Sequence, residues 1–253
     1  MKNILIFCIA LLCVSCASNV RYYPYVFQKE PARNIKSVAV APLNLINKIP
    51  SEAGPKSSAV YDALKAYLTD NKIATQPAEK IAAIWKEEIQ KAGGIFDPAD
   101  GKLQPYKFNK CLRNMVTKVC DSQAVDAVVL TAIIRRPAII ENSVVYWDGA
   151  EQSIEFGKGD ERPFADRVSG DSTALSLRVF IVNKDGRIIL KNFAGLEFPY
   201  KVVLDKRTRS ETKMELRKDL FTDEARIRQA VAISLHPFML FSEYPKNPAF
   251  LKN

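Results

Sequence analysis

The sequence is poor in the residues from which catalytic centres are built. A single histidine, His236, stands among 253 residues. One imidazole cannot supply a histidine-rich metal site, and it argues against most hydrolytic triads. The ten glycines form no phosphate-binding loop, and the pair Gly93-Gly94 is typical of a helix end. We therefore expect no metal site, no cofactor and no catalytic residue.

Charge of one sign is only modestly in excess. Lys and Arg number 37 against 28 Asp and Glu, which gives a formal charge of +9. The hydrophobic fraction of 47% is that of a folded domain and excludes disorder. The basic excess is too small to indicate a nucleic-acid-binding protein. Residues 201–219 are locally more basic, which suggests a surface for an anionic partner or an ordinary solvated face.

No apolar run is long enough to cross a membrane as a helix, which needs about 20 residues. The start of the chain has a positive charge at Lys2 and then the apolar run ILIFCIALLCV over residues 4–14. This pattern is typical of a secretory signal. Ser15-Cys16 at its end resembles a bacterial lipobox, with Cys13 where Leu is usual. We predict a lipoprotein signal peptide over residues 1–15 and lipidation of Cys16; an uncleaved anchor helix or a cut at another small residue is the alternative.

Residues 16–34 are interpreted as a lipid anchor and tether. Pro24 and Pro31 argue against a core element, while four aromatic residues at positions 22–27 either dock on the domain or lie among lipid headgroups, docking being preferred. By resemblance to enterobacterial sorting, Ala17 after the cysteine indicates the outer membrane, with the protein on its periplasmic side. The membrane is then a partner through the N-terminal lipid.

Two thiols, Cys111 and Cys120, are left for the mature domain. Phe108, Cys111 and Met115 belong to a helical repeat of apolar residues. Nine residues along one helix separate two Cα atoms by about 13.5 Å, whereas a disulfide needs about 7 Å or less. We expect Cys111 to be a core residue, and a disulfide only if the helix breaks before Cys120.

Hydrophobic periodicity predicts a single α/β domain over residues 35–241 and a tail over 242–253. The fold class is a mixed central sheet with helices packed on it, followed by an antiparallel hairpin region and a terminal helix. The core of the sheet is expected at Val38, Val40, Val128, Val129 and Leu130. Predicted strands cover 35–43, 72–75, 125–134, 144–147, 153–156, 173–182, 187–193 and 198–204, with a hairpin turn at 183–186. Predicted helices cover 58–71, 77–92, 105–119 and 222–236, and Thr222 is expected to cap the last of them.

Two turns combine acidic residues, glycine and an aromatic ring, namely FDPADGK (96–102) and YWDGAEQ (146–152). Loops at the ends of core elements are frequent binding sites, so Phe96, Trp147 and Asp148 form a candidate recognition surface. The alternative is that both turns are structural and that Trp147 only packs. Because paired carboxylates near an aromatic ring also serve glycoside hydrolysis, Asp148 and Glu151 near Trp147 are a second, catalytic hypothesis.

The lipid anchor, the aromatic tether, the strand SVAVAPL and the strand DAVVLTAIIRR resemble those of small α/β envelope lipoproteins. These include the curli-secretion lipoproteins, the exopolysaccharide-export lipoproteins, the lipoprotein activators of penicillin-binding proteins and the N-terminal domain of TolB. FDPADGK and WDG are also similar to turns of uncharacterised bacterial lipoproteins. The resemblance implies a non-catalytic binding or assembly module of the cell envelope, with an envelope protein or glycan as partner and no nucleic acid. It assigns no role to any residue, and the alternative function is a carbohydrate-active hydrolase.

Overall fold

The computed structural model describes residues 25–76, 80–157, 168–204 and 212–245. The predicted signal peptide, Cys16 and the end of the predicted tail lie outside these ranges. The helices in the described ranges are α1 (Lys29–Ala32), α2 (Ser58–Asp70), α3 (Ile81–Lys91), α4 (Pro105–Gln123) and α5 (Glu224–Leu235). The strands are β1 (Val26–Phe27), β2 (Ser37–Val40), β3 (Ala74–Gln76), β4 (Ala127–Glu141), β5 (Val144–Trp147), β6 (Ala150–Ser153), β7 (Glu155–Phe156), β8 (Gly170–Asn183), β9 (Ile188–Glu197), β10 (Tyr200–Leu204) and β11 (Thr212–Leu216).

The main sheet is mixed, as the sequence predicts, and has the order β1-β9-β8-β4-β2-β3. Strand β2 pairs in parallel with β3 and β4, while β4, β8 and β9 are antiparallel neighbours. The hairpin β5–β6 continues from β4, and a small sheet of order β11-β10-β7 lies beside it. The fold is therefore α/β, with more strand than helix.

One face of the main sheet is covered by α2 and α5. Val129 and Val179 from the sheet are buried with Leu64 of α2 and Val231 of α5 in one cluster. Burial of such side chains contributes roughly 1.5–3 kcal/mol each. An Asp223 carboxylate oxygen accepts from the backbone N–H of Arg226 and caps α5. The sequence had predicted Thr222 as the cap.

The other face is covered in two separate places. Helices α3 and α4 pack over Val128 and Leu130 with Trp85 and Met115. Further along the strands, the β5–β6 hairpin packs over Ala138 and Ala174 through Trp147, in a third cluster that also reaches the small sheet. The predicted core positions are all buried: Val38, Val40, Val128, Val129 and Leu130.

Helix α4 carries both remaining cysteines and runs without a break past Cys120. Pro105 occupies its first turn and Ala124 ends it in the left-handed conformation. Cys111 and Cys120 are free and buried. The prediction of a core Cys111 is confirmed, and the disulfide alternative is wrong.

Two of the boundaries that differ from the sequence prediction lie at the WDG hairpin and in the N-terminal segment. The second strand of the WDG hairpin is Ala150–Ser153 rather than 153–156, and Phe156 belongs to the small sheet. The predicted tether joins the domain before residue 35, because Val26 and Phe27 pair with Lys191 and Leu190 of β9. Phe27 packs against the core, so this aromatic residue of the tether docks on the domain.

Candidate functional site

The FDPADGK turn is held together by its own acidic side chains. Asp97 accepts from the backbone N–H of Ala99, and Asp100 accepts from that of Lys102, both at 2.9 Å. The neighbouring Lys102 ammonium holds the pKa of the Asp100 carboxyl below its usual value. Phe96 forms an isolated antiparallel bridge with Leu103 and is 57% exposed. Of the three residues in the predicted recognition surface, Phe96 is accessible.

The YWDGAEQ turn is a two-residue hairpin in which Trp147 and Asp148 are buried rather than presented to solvent. Trp147 is 1% exposed and Asp148 is 3% exposed. Both Asp148 and Gly149 have positive φ angles, as a type I′ hairpin requires. The Trp147 indole N–H donates to the Leu175 carbonyl at 3.0 Å. The prediction that Trp147 and Asp148 line an accessible surface with Phe96 is wrong, because packing removes both side chains from solvent.

The residues of the hydrolase hypothesis are likewise not brought together. On the hairpin, Trp147 and the buried Gln152 lie on one face. Glu151 lies on the opposite, exposed face, directly across from Tyr146. The Asp148 carboxylate accepts from the Arg136 guanidinium at 2.9 and 3.2 Å and from the Ser176 hydroxyl at 2.7 Å. A carboxylate engaged in this way holds the hairpin on the sheet.

An open part of the sheet lies between the two covers of the second face. On β8 it extends from Phe180, which touches the α3–α4 cluster, to Ser176, which bonds the hairpin. At about 3.3 Å per residue, this distance is roughly 13 Å. The side chains here come from three adjacent strands and are half-buried: Ile134, Arg136, Arg178, Phe180, Lys191 and Phe193. We call this area the open face.

On the open face, cationic side chains lie close to aromatic rings. Arg178 lies opposite Phe193 across the β8–β9 ladder, and Phe180 lies opposite Lys191. The Arg136 guanidinium is 4.6 Å from the centre of the Phe193 ring, and the Arg178 guanidinium is 4.9 Å from that of Phe180. The Lys191 ammonium is 5.9 Å from both rings. These distances are within the range of cation–π attraction.

The three cations of the open face differ in whether a carboxylate pairs with them. Arg136 is paired with Asp148. Arg178 donates to the neutral amide oxygen of Asn47, and among the described residues neither Arg178 nor Lys191 has a carboxylate partner. Burial lowers the pKa of Arg178 and leaves its Nε atom without a hydrogen-bond partner. Two positive charges on this face therefore lack a carboxylate partner among the described residues.

The open face lies at the point where the N-terminal segment joins the sheet. Val26 of β1 pairs directly with Lys191, and Val26 is 45% exposed. Directly opposite residues share a face of a sheet, so Val26 borders this surface.

Sequence analysis did not find this site. It singled out residues 201–219 for a possible anionic partner; 205–211 of that segment lie outside the described residues. The alternation of Ser176, Arg178 and Phe180 with buried leucines does show that these residues share one face. The register that adds Lys191, Phe193 and Arg136 cannot be obtained from that alternation.

The described part of the chain offers little other chemistry. It contains no group of three or more His, Cys, Asp or Glu side chains arranged for a metal ion. His236 stacks on Tyr244 with ring centres 4.0 Å apart, and burial lowers its pKa. Among the helices of the described ranges, none has the length and hydropathy needed to traverse a bilayer.

Comparison of the chain with protein-family models, with curated proteins and with solved structures gave no match in any of the three. Functional conclusions therefore rest on the chemistry and geometry of this chain.

Proposed function

We propose that the protein is a lipoprotein of the outer membrane, exposed to the periplasm, which acts as a non-catalytic binding or assembly module of the cell envelope. The lipobox-like Ser15-Cys16 after a short apolar run supports the anchor. The observation that carries the binding role is the open face, where three cations and two rings occupy the part of the sheet between the two covers.

The chemistry of the open face favours binding over turnover. Its polar groups are nearly all hydrogen-bond donors, because guanidinium and ammonium groups have no acceptor capacity. General acid–base catalysis needs a group that exchanges a proton near neutral pH, and Arg and Lys do not titrate there. Asp148, an acidic side chain at the edge of this face, is bound to Arg136 and Ser176.

The length of the tether is consistent with a role close to the membrane. Val26 is ten positions after Cys16, and a fully extended segment of that length spans about 35 Å at most. A partner bound at the open face would thus lie within a few tens of ångströms of the bilayer. This geometry suits a module that holds an envelope component at the membrane surface.

The anchor is tested by mass spectrometry of the mature N-terminal peptide and by membrane fractionation. We expect an acylated Cys16 in the outer-membrane fraction, and a Cys16→Ser variant that is released or left unprocessed. An unmodified Cys16, or a peptide that continues upstream through Val14-Ser15, would contradict the anchor.

The binding role is tested by crosslinking in intact cells, comparing the parent with an Arg178→Gln/Lys191→Gln variant of equal abundance. We expect a discrete envelope component to be captured by the parent and reduced in the variant. Hydrolysis of cell-envelope glycans by the purified parent, lost in Asp148→Asn with the fold intact, would instead support the hydrolase hypothesis.

A further inference from the structure

We propose that the open face binds an extended acidic segment of a protein partner, with carboxylates held by Arg178 and Lys191. This inference rests on the proposed binding function and names the chemistry of the partner. It is carried by charge complementarity, by the dimensions of the open face and by the kind of polar groups it presents.

The rings connect the cations of the open face. Phe193 is within 6 Å of the charged groups of Arg136 and Lys191, and Phe180 is within 6 Å of those of Lys191 and Arg178. Two cations that share a ring are therefore about 11 Å apart at most. An extended polypeptide advances about 3.3 Å per residue, so two or three residues carry a carboxylate from one cation to the next.

The open face has room for one chain. Its extent of roughly 13 Å along β8 exceeds the spacing of about 4.8 Å between neighbouring strands, and the two covers bound it at either end. The strands below it are paired on both sides in this region, since β8 lies between β4 and β9. A partner therefore contacts side chains rather than adding a strand to the sheet.

The available polar groups distinguish a polypeptide from a glycan. Sugar hydroxyls both donate and accept, and a glycan site needs acceptors for the hydroxyl protons. The acceptors around the open face are already engaged: Asn47 with Arg178, and Asp148 with Arg136 and Ser176. Carboxylates need donors alone, and Arg with aromatic residues is the composition enriched at the centre of protein interfaces.

Stacking prepares the cations for such a partner. A guanidinium held over a ring loses less side-chain freedom when it binds a carboxylate. Lys and Arg stems also shield apolar surface in proteins that bind nothing there. The two roles can be distinguished experimentally. Shielding needs only the apolar stems, whereas binding of an anion also needs the positive charges.

The experiment is a fluorescence-anisotropy titration of the full lipidated protein in non-ionic detergent at low salt. The probe is a fluorescein-labelled decaglutamate peptide, with decaglutamine as the uncharged counterpart. We expect saturable binding of decaglutamate alone, weakened about tenfold or more by Arg178→Gln/Lys191→Gln and recovered largely by the charge-preserving Arg178→Lys/Lys191→Arg variant.

The matched control is Lys65→Gln/Arg187→Gln, which removes the same charge from other surfaces. Lys65 also lies over a ring, 5.6 Å from the centre of Tyr61, and Arg187 is exposed. We expect this control to change decaglutamate affinity less than twofold. Equal weakening by both double variants would show a general charge effect and overturn the proposal, as would absence of decaglutamate binding.

Other anionic partners are separate arms of the same titration. Tighter binding of polygalacturonate, or of phosphatidylglycerol vesicles, with the same loss in Arg178→Gln/Lys191→Gln would replace the acidic segment with a glycan or a lipid surface. If the double variant does not fold, Lys191→Gln and the charge-preserving variant decide the question. If parent and double variant crosslink the same partner equally in cells, the acidic-segment inference is wrong, but the protein still has a binding function. If Cys16 is not acylated, only the proposed location is wrong.

Discussion

FDPADGK and YWDGAEQ share an aromatic ring, aspartate and glycine, yet the structure leaves Phe96 57% exposed and Trp147 1% exposed. The first turn joins α3 to α4, and both of its aspartates bond its own backbone. The second turn joins two strands that fold back onto the sheet, and Asp148 bonds Arg136 and Ser176 of other strands. Similar composition thus produces a self-contained turn in one place and a tertiary clamp in the other.

The close packing of the second turn against β9 explains the difference. A Cβ atom at Gly195 would come within 2.5 Å of the Ala150 Cβ and 2.8 Å of the Trp147 Nε1 atom. The missing side chain at Gly195 therefore lets the hairpin lie against β9, and the Gly195 N–H donates to the Asp148 carbonyl at 3.0 Å. Four changes test this contrast, from the most to the least damaging.

Trp147→Ala should have the largest effect. It leaves a void in a fully buried site and removes the donor to the Leu175 carbonyl, so we expect a loss of about 3–5 kcal/mol in the free energy of unfolding. Urea denaturation followed by circular dichroism measures it. A loss below about 1 kcal/mol would mean that the hairpin does not contribute to the core.

Asp148→Asn should be the next most damaging. It preserves shape but removes the negative charge of Asp148 that pairs with the Arg136 guanidinium, whose side chain is 13% exposed. We expect a loss of roughly 2–4 kcal/mol. Glu151→Gln on the exposed face of the same hairpin is the control and should change stability by less than about 0.5 kcal/mol. Equal effects of the two substitutions would refute the clamp.

Gly195→Ala should destabilise by roughly 1–2 kcal/mol through overpacking, and it should shift the fluorescence of Trp147. Gly101→Ala in the first turn is the comparison: a Cβ there has open space, but φ is +68°. Backbone strain should lower the free energy of unfolding of Gly101→Ala by about 1 kcal/mol, without any change in tryptophan fluorescence. If Gly195→Ala leaves both the fluorescence and the stability unchanged, the close approach of the hairpin is wrong.

Phe96→Ala should have the smallest effect. The ring is more than half exposed, so we expect a change of less than about 0.5 kcal/mol in unfolding free energy. Thermal denaturation of the Phe96→Ala and Trp147→Ala variants under the same conditions compares their losses of stability directly. A loss of more than about 1.5 kcal/mol would show that the first turn is also part of the core.

Much of the fold could be predicted from local patterns. The valines of β2 and β4 and the turn between β8 and β9 were identified because strand periodicity and turn composition act over a few residues. The α5 cap was misplaced by one residue because Thr222 and Asp223 are both good caps. The extension of β4 to Glu141 was missed because Arg135, Arg136 and Pro137 interrupt the apolar pattern after residue 134.

The candidate site could be predicted only in part. Phe96 is accessible, as expected, whereas Trp147 and Asp148 are buried by contacts with residues 28 or more positions away, such as Leu175 and Ser176. Nothing local distinguishes an exposed aromatic turn from a buried one. The open face was missed for the same reason, since its cations lie on three different strands.

The sequence by itself determined the α/β class, the buried valines, the helical burial of Cys111 and the self-bonded FDPADGK turn, because each depends on neighbours within about one turn or one strand. Tertiary structure decided that Asp148 is a clamp and that Arg178 and Lys191 share a surface with two phenylalanine rings. Those outcomes depend on strand register and on which parts of the sheet are covered. Register is set by the packing of the whole sheet, so the chemistry of the open face exists only once the sheet has formed.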